Sequence, residues 1–241
     1  MSLTDQRVLV IGGGSGIGRA VAEGALRDGA RVVVASSNAE KVARAAEALG
    51  PSASSATLNV TDEAAVARFF AEAGGFDHIA FTAGDWNAPP PGPLAGLDLT
   101  AAAGLLDVRF WGAIAVAKHG ATGLPPGGSF TITGGMLAHQ PSKGRPLWTA
   151  AAGALEFLAR GLAVDLAPVR VNCVCPGLIR TEQWDGFAEP YRDRLVKMAE
   201  RQLLPRPGQP AEAAEAYLYL MRNSFVTGQV LYVEGGSALA P

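Results

Sequence analysis

Short β-branched, apolar runs alternate with longer helical stretches from one end of the chain to the other. Arg7 to Ile11, Arg31 to Ala35, Ala56 to Val60, His78 to Thr82, Ser129 to Thr133, Arg170 to Val174 and Gln229 to Val233 read as seven strands. Helical segments fill the intervals near 17–28, 39–49, 62–73, 98–120, 147–166 and 210–222. Strands this apolar need cover on both faces, which predicts a parallel sheet between two layers of helix. Right-handed crossovers then make the sheet doubly wound, with ligands bound outside the carboxyl ends of its strands.

Two segments break this rhythm. Residues 85–97 are too rich in proline for regular structure and are expected to form a loop after the fourth strand. Residues 180–209 form a longer excursion carrying Trp184, Phe187 and Tyr191. Both fall on the ligand side of the sheet, where such loops serve either as substrate walls and lids or as plain surface connections. The expected organisation is one domain over residues 1–241, with 180–209 as a substrate lid within it.

Composition narrows the function classes. A hydrophobic content of 49% against 17% charge supports a large core and argues against disorder. A net charge of −2 without a basic run offers no footprint for nucleic acid. Cys173 and Cys175 sit in an apolar strand and are expected to be buried, since a lone CxC has neither the spacing nor the further ligands of a metal or redox site. The first residues lack the pattern of a signal peptide. No uninterrupted apolar run approaches about 18 residues, so neither a membrane span nor a membrane partner is expected. A cytoplasmic protein is the expectation.

Gly12-Gly13-Gly14-Ser15-Gly16-Ile17-Gly18 follows the first strand and opens the first helix. Glycines there permit a tight turn and bring backbone amides toward a pyrophosphate at the positive end of the helix. The GGGSGIG spacing resembles the GxxxGIG loop of the short-chain dehydrogenase/reductase family. Thr82-Ala83-Gly84 is similar to that family's NAG. The stretch Val171-Asn172 through Pro176-Gly177 to Thr181 is similar to its VNxxxPGxxxT, and Thr227-Gly228-Gln229 through Glu234-Gly235-Gly236 to its TGQ…DGG. These motifs keep the family's order across nearly the whole chain. The resemblance implies a single Rossmann-type, doubly wound α/β domain that binds NAD(P).

By that resemblance Gly12, Gly14, Ser15, Gly16, Ile17 and Gly18 would hold the pyrophosphate. Asn59 and Val60 would lie beside the adenine, where the asparagine's amide oxygen can accept from the adenine amino group. Ala83 and Gly84 would pass close to the ribose. Pro176, Gly177, Ile179 and Thr181 would hold the carboxamide. The second strand ends in Ser36-Ser37-Asn38 without the acid that would repel a 2′-phosphate, and also without an arginine to clamp one. This favours NADP(H) over NAD(H).

The family's chemistry uses a tyrosine as proton donor or acceptor, a lysine one helical turn later, an upstream serine and an asparagine on the preceding helix. In this chain Trp148, Ala152, Gly135 and Arg109 fall at those positions. The tyrosines are Tyr191, Tyr217, Tyr219 and Tyr232, and none has a lysine four residues on, so no register shift restores the pair. Indole donates a hydrogen bond but does not transfer its proton, and guanidinium stays charged. His139, in the HQPSKGRP loop, is either a substitute acid or a surface histidine without a role. Lys143 shares that loop, and Asp85 follows the Thr-Ala-Gly motif. Trp86, Trp111, Trp148 and Trp184 are candidates to line the site.

Two readings stand. One is an NAD(P)-dependent oxidoreductase with a nonstandard proton source, or with a substrate that needs only hydride transfer to a polarised double bond. The other is a degenerate NADP(H)-binding protein with a sensing, structural or regulatory role. No metal is expected. The partners expected are a small, hydrophobic substrate or ligand and, by resemblance, further copies of the chain, a dimer or tetramer joined through helices 98–120 and 147–166.

Overall fold

The structure is a computed structural model that describes residues 2–84 and 92–240. Seven parallel strands form one sheet: β1 (Arg7–Ile11), β2 (Arg31–Ser36), β3 (Ala53–Thr57), β4 (His78–Phe81), β5 (Ser129–Thr133), β6 (Arg170–Pro176) and β7 (Val230–Val233). Their order is β3-β2-β1-β4-β5-β6-β7. The helices are α1 (Gly16–Arg27), α2 (Ala39–Leu49), α3 (Glu63–Ala73), α4 (Leu99–Ala102), α5 (Gly112–His119), α6 (Pro146–Asp165), α7 (Glu189–Ala199) and α8 (Pro210–Arg222).

Alternation along the strands feeds two cores. Val8, Val10, Val32 and Val34 pack with α1, α2 and α8, through Val21, Val42, Tyr217 and Leu218. Leu9, Ile11, Ile79, Phe81 and Phe130 point the other way, toward Val66, Val116 and Leu155 of α3, α5 and α6. With both faces covered, the strands can be apolar throughout, as their sequences require.

Three elements depart from the sequence pattern. The third strand runs over Ala53–Thr57 rather than 56–60, because its register with β2 ends at Ser36↔Thr57. It is an edge strand with exposed serines, so its own pattern is weak; Leu58 and Val60 are buried just beyond it. The expected helix 98–120 is broken: a 3₁₀ turn and a π-helical turn over Asp107–Trp111 separate α4 from α5. The excursion contains a regular helix, α7, which its mixed charge concealed.

Polar side chains stitch the amino ends of the central strands. His78 Nδ1 lies 2.8 Å from Ser129 Oγ, and its Nε2 lies 3.0 Å from Gln6 Oε1. Burial, reinforced by the charge of Arg170, lowers the His78 pKa to about 4, so the ring is neutral near pH 7. Asn172 donates to the Val226 carbonyl and accepts from Gln229 N–H, both at 3.0 Å, fixing the approach to β7.

Residues 99–123 and 146–165 are long and apolar enough, by length and composition alone, to cross a membrane, although α6 carries Glu156 and Arg160 within its run. Both stretches flank the sheet and bury one face against it. Their outer faces expose Trp111, Phe157 and Val164.

Candidate active site

A cleft of about 1630 Å³ opens along the carboxyl ends of the strands, where the crossover direction reverses between β1 and β4. Its wall brings together the glycine loop 12–18, Ser36 and Ser37 after β2, Asn59 and Val60 after β3, and Ala83 and Gly84 after β4. Pro176, Gly177, Ile179 and Thr181 join them after β6. Arg109, Gly135, Trp148 and Ala152 line the same cleft.

The glycine loop fits tightly against β4. Gly12 has φ +91°, and a Cβ there would lie 2.6 Å from Ala83 N and 2.7 Å from the Thr82 carbonyl carbon. Gly16, at φ +55°, begins α1 and donates its N–H to Glu182 Oε2 at 2.9 Å. The first turn of α1 has no acid of its own, and the Ser15 side chain makes no capping bond. The positive end of this helix therefore has no counter-charge of its own, and the Glu182 carboxylate supplies one from across the cleft, at a place suited to an anion.

Past β2, Asn38 caps α2 by accepting from Lys41 N–H at 2.9 Å. This turn sends the Lys41 side chain along the glycine loop, where a Cβ on Gly14 would lie 3.0 Å from Lys41 Cγ. Lys41 lines the cleft beside Ser36 and Ser37 as an exposed cation. Sequence reasoning looked for an arginine and missed this lysine; the signal was its place in the first turn of α2.

Asn59 differs from expectation. Its Oδ1 accepts from both the N–H and the hydroxyl of Thr61, at 3.2 and 2.9 Å. With both lone pairs engaged, the side chain offers the cleft its amide N–H groups rather than an acceptor.

At the other end, Arg109 sits in the π-helical turn with its guanidinium over Gly84, whose Cβ would lie 2.5 Å from Nη2. Trp148 and Ala152 occupy successive turns on one side of α6. Tyr191 reaches the cleft from α7, and its hydroxyl accepts from Arg145 Nη2 at 3.0 Å. Tyr217 lies instead in the core, 2.6 Å from Thr133 Oγ1, and burial raises its pKa.

His139 is not among the cleft-lining residues, although Leu137 and Gln140 on either side are. Its Nε2 lies 2.6 Å from Glu156 Oε1 and 3.1 Å from the Tyr232 hydroxyl. Glu156 is 3% exposed and also accepts from Cys175 Sγ at 3.3 Å. Contact with Cys173, then burial and the nearby carboxylate, push the Cys175 thiol far above its ordinary value, so it is an inert thiol. No group of metal-ligating side chains occurs among the described residues.

Lys143 lines the cleft. Trp184 is buried in its wall, with Arg180 over the indole at 5.9 Å. Trp111 faces outward at 58% exposure. Asp85 and Trp86 lie outside the described residues.

Comparison with known proteins places the chain among relatives. The family described as enoyl-(acyl carrier protein) reductase matches residues 12–238. A curated relative, the short-chain dehydrogenase/reductase malC of Malbranchea aurantiaca, is 36% identical, with 98% of this chain and 96% of that protein covered. The solved structure of MalC reductase/Diels-Alderase from that organism superposes with a TM-score of 0.88 at 35% identity, covering 98% of this chain and 96% of that one. A small-chain dehydrogenase solved in complex with NADPH superposes with a TM-score of 0.83 at 32% identity, covering 98% and 100% of the two chains.

Proposed function

We propose that this chain, which belongs to the short-chain dehydrogenase/reductase family, is an NADP(H)-dependent oxidoreductase that works without a tyrosine–lysine pair. The observation that carries the reading is the contrast within one cleft. The residues expected to border a dinucleotide, from Gly12 to Thr181, line it together, while the chemical end presents Trp148, Ala152 and Arg109.

The α1 amino end and the glycine loop hold the pyrophosphate, and the Glu182 carboxylate gives way to it. Lys41, Ser36 and Ser37 receive the 2′-phosphate, Asn59 and Val60 border the adenine, and Ala83 and Gly84 the ribose. Pro176, Gly177, Ile179 and Thr181 hold the carboxamide. A bound NADPH supplies a hydride. Trp148 closes the site with an apolar face and an indole N–H that orients but does not protonate. Arg109 adds a fixed positive charge near the ribose and cannot shuttle a proton. A suitable substrate is therefore a polarised double bond that accepts hydride before, or without, a proton from the enzyme. The reductase activity named for the solved relative from Malbranchea aurantiaca agrees with this direction.

Residues 180–209 form the substrate wall, and the exposed faces of the 99–119 stretch and α6 join copies of the chain into a homo-oligomer. A scattering mass of one chain would contradict that assembly. The same replaced positions support a second reading, an NADP(H)-binding protein with a sensing or structural role, and turnover separates the two.

The test has two parts. NADPH is titrated against tryptophan emission, with quenching expected in the wild type and reduced in Trp148→Phe. NADPH consumption is then followed with polarised enones and imines, and NADP⁺ reduction with simple secondary alcohols. Consumption with the first group only is expected. Ready oxidation of the alcohols would overturn the mechanism, and unchanged emission would overturn the placement of Trp148.

A further inference from the structure

The substrate side of the cleft carries a charge pattern that the residues assigned to the cofactor do not explain. On α7 and its continuation, Tyr191, Arg194, Leu195, Met198, Arg201 and Gln202 line the cleft. Spacings of three and four put Tyr191, Arg194, Leu195 and Met198 on one stripe of α7, and Arg201 and Gln202 follow in the turn beyond it. The acids of the same segment, Glu189, Asp193 and Glu200, are not part of the lining. Arg192 and Lys197 of α7 lie off the lining as well, so the charges that this segment does bring to the cleft, Arg194 and Arg201, are all positive.

The connection between β5 and α6 adds Lys143 and Arg145 to this wall. Arg145 Nη2 donates to the Tyr191 hydroxyl oxygen at 3.0 Å, which leaves the phenolic hydrogen available for another acceptor. Arg194 lies one turn along the same stripe. Among the described residues, no carboxylate lies within 4.0 Å of the charged groups of Lys143, Arg145, Arg194 or Arg201. Acids outnumber bases in the chain, 22 to 20, so these unpaired cations do not follow from composition. The one acidic side chain on the described cleft wall is Glu182, and it is bound to Gly16 N–H in the glycine loop.

Guanidinium forks match planar oxyanions, and a phenol hydroxyl completes such a receptor. Trp148, Phe187, Leu195 and Met198 line the same space with apolar surface. The geometry points to an acidic substrate: an apolar body bearing a carboxylate or similar oxyanion, gripped by Arg145, Tyr191 and Arg194, with Lys143 and Arg201 adding to the field that draws it in. This assignment rests on the oxidoreductase reading above, which makes this wall the substrate side.

The test is a paired titration by calorimetry, run with and without saturating NADPH. Benzoate, cyclohexanecarboxylate and 2-naphthoate are each compared with the corresponding primary amide. The acids are expected to bind at least about tenfold tighter than the amides, with the preference shrinking as salt is raised. Arg145→Gln/Arg194→Gln should erase the preference while NADPH affinity holds. The single change Arg194→Gln, at an exposed position, should reduce it and guards against a folding defect in the double variant.

Equal binding of acids and amides, or no binding of any acid, would overturn the assignment. So would a double variant that loses NADPH affinity instead, since the arginines would then serve the cofactor. Failure of the wild type to bind NADPH would refute the oxidoreductase reading separately, and the cofactor-free titration would still decide the acid preference.

Discussion

Replacing Lys41 with methionine should separate NADPH from NADH. The lysine stem lies along Gly14, and its exposed ammonium is the cation nearest in sequence to the Ser36–Ser37 turn. Two unit charges about 4 Å apart attract by about 1 kcal/mol in water and by about 4 kcal/mol under typical surface screening. Exposure places Lys41 toward the weaker end, so neutralising it should cost about 1–2 kcal/mol, or roughly 5–30-fold in the Kd for NADPH. NADH has no 2′-phosphate and should bind the variant as it binds the wild type. Lys41→Arg should retain most of the preference. Titrations of both cofactors into all three proteins, at low and high salt, give the ratio directly. Screening should shrink the wild-type preference and leave that of Lys41→Met nearly flat. If Lys41→Met weakens both cofactors equally, or leaves the ratio unchanged, the assignment to the 2′-phosphate is wrong.

Gly12→Ala adds a methyl group 2.6 Å from Ala83 N at a φ of +91°, and should abolish measurable NADPH binding while costing about 1–3 kcal/mol of stability; a variant that binds NADPH normally would contradict the tight loop. Glu182→Gln removes the carboxylate held at the start of α1 and should tighten NADPH and NADH together by roughly two- to fivefold; weaker binding of both would show that Glu182 helps the cofactor instead. His78, neutral in the fold with a pKa near 4, binds its proton more readily in the unfolded chain. Its contribution is therefore full above about pH 6.5 and is lost as pH falls toward 4, on the order of 3 kcal/mol in all. Urea midpoints for wild type and His78→Gln should converge over that interval, and parallel curves would rule the histidine out as the cause.

Strong local patterns made much of the molecule legible. Arg7–Ile11 is apolar at four successive positions, and Ser129–Thr133 alternates Phe130 and Ile132 with β-favouring hydroxyl residues, so their boundaries are sharp. β3 was misplaced because an edge strand needs less apolar sequence than the buried turn that follows it. α7 was hidden because its pattern serves a cleft rather than a core: it buries only Leu195 and Ala199. The glycine loop and the 176–181 stretch stood out in the sequence because tight turns constrain residue type, and both line the cleft. Lys41 and the Arg145–Tyr191 contact could not, since they join side chains whose proximity depends on the folded turns. Likewise, nothing in the HQPSKGRP loop shows that His139 meets a buried glutamate on α6.

The excursion after β6 leaves and returns through a single neck. Arg180 N–H donates to the Gly208 carbonyl at 2.8 Å, and Gly208 N–H to the Leu178 carbonyl at 2.9 Å. One short parallel pairing of Ile179 with Gly208 closes this neck, while Glu182, Tyr191 and Leu204 tie the segment between to the glycine loop, to Arg145 and to Gly235. Both points of the neck lie outside the strand ladders, so a change of length between them does not itself shift a strand register. Substrate preference in such a scaffold can therefore be varied in the segment beyond Glu182 while the residues assigned to the cofactor, Thr181 among them, are kept. For protein engineering, a graft from one relative to another would begin after Glu182 and end at Gly208, so that Ile179 and Thr181 stay with the cofactor wall.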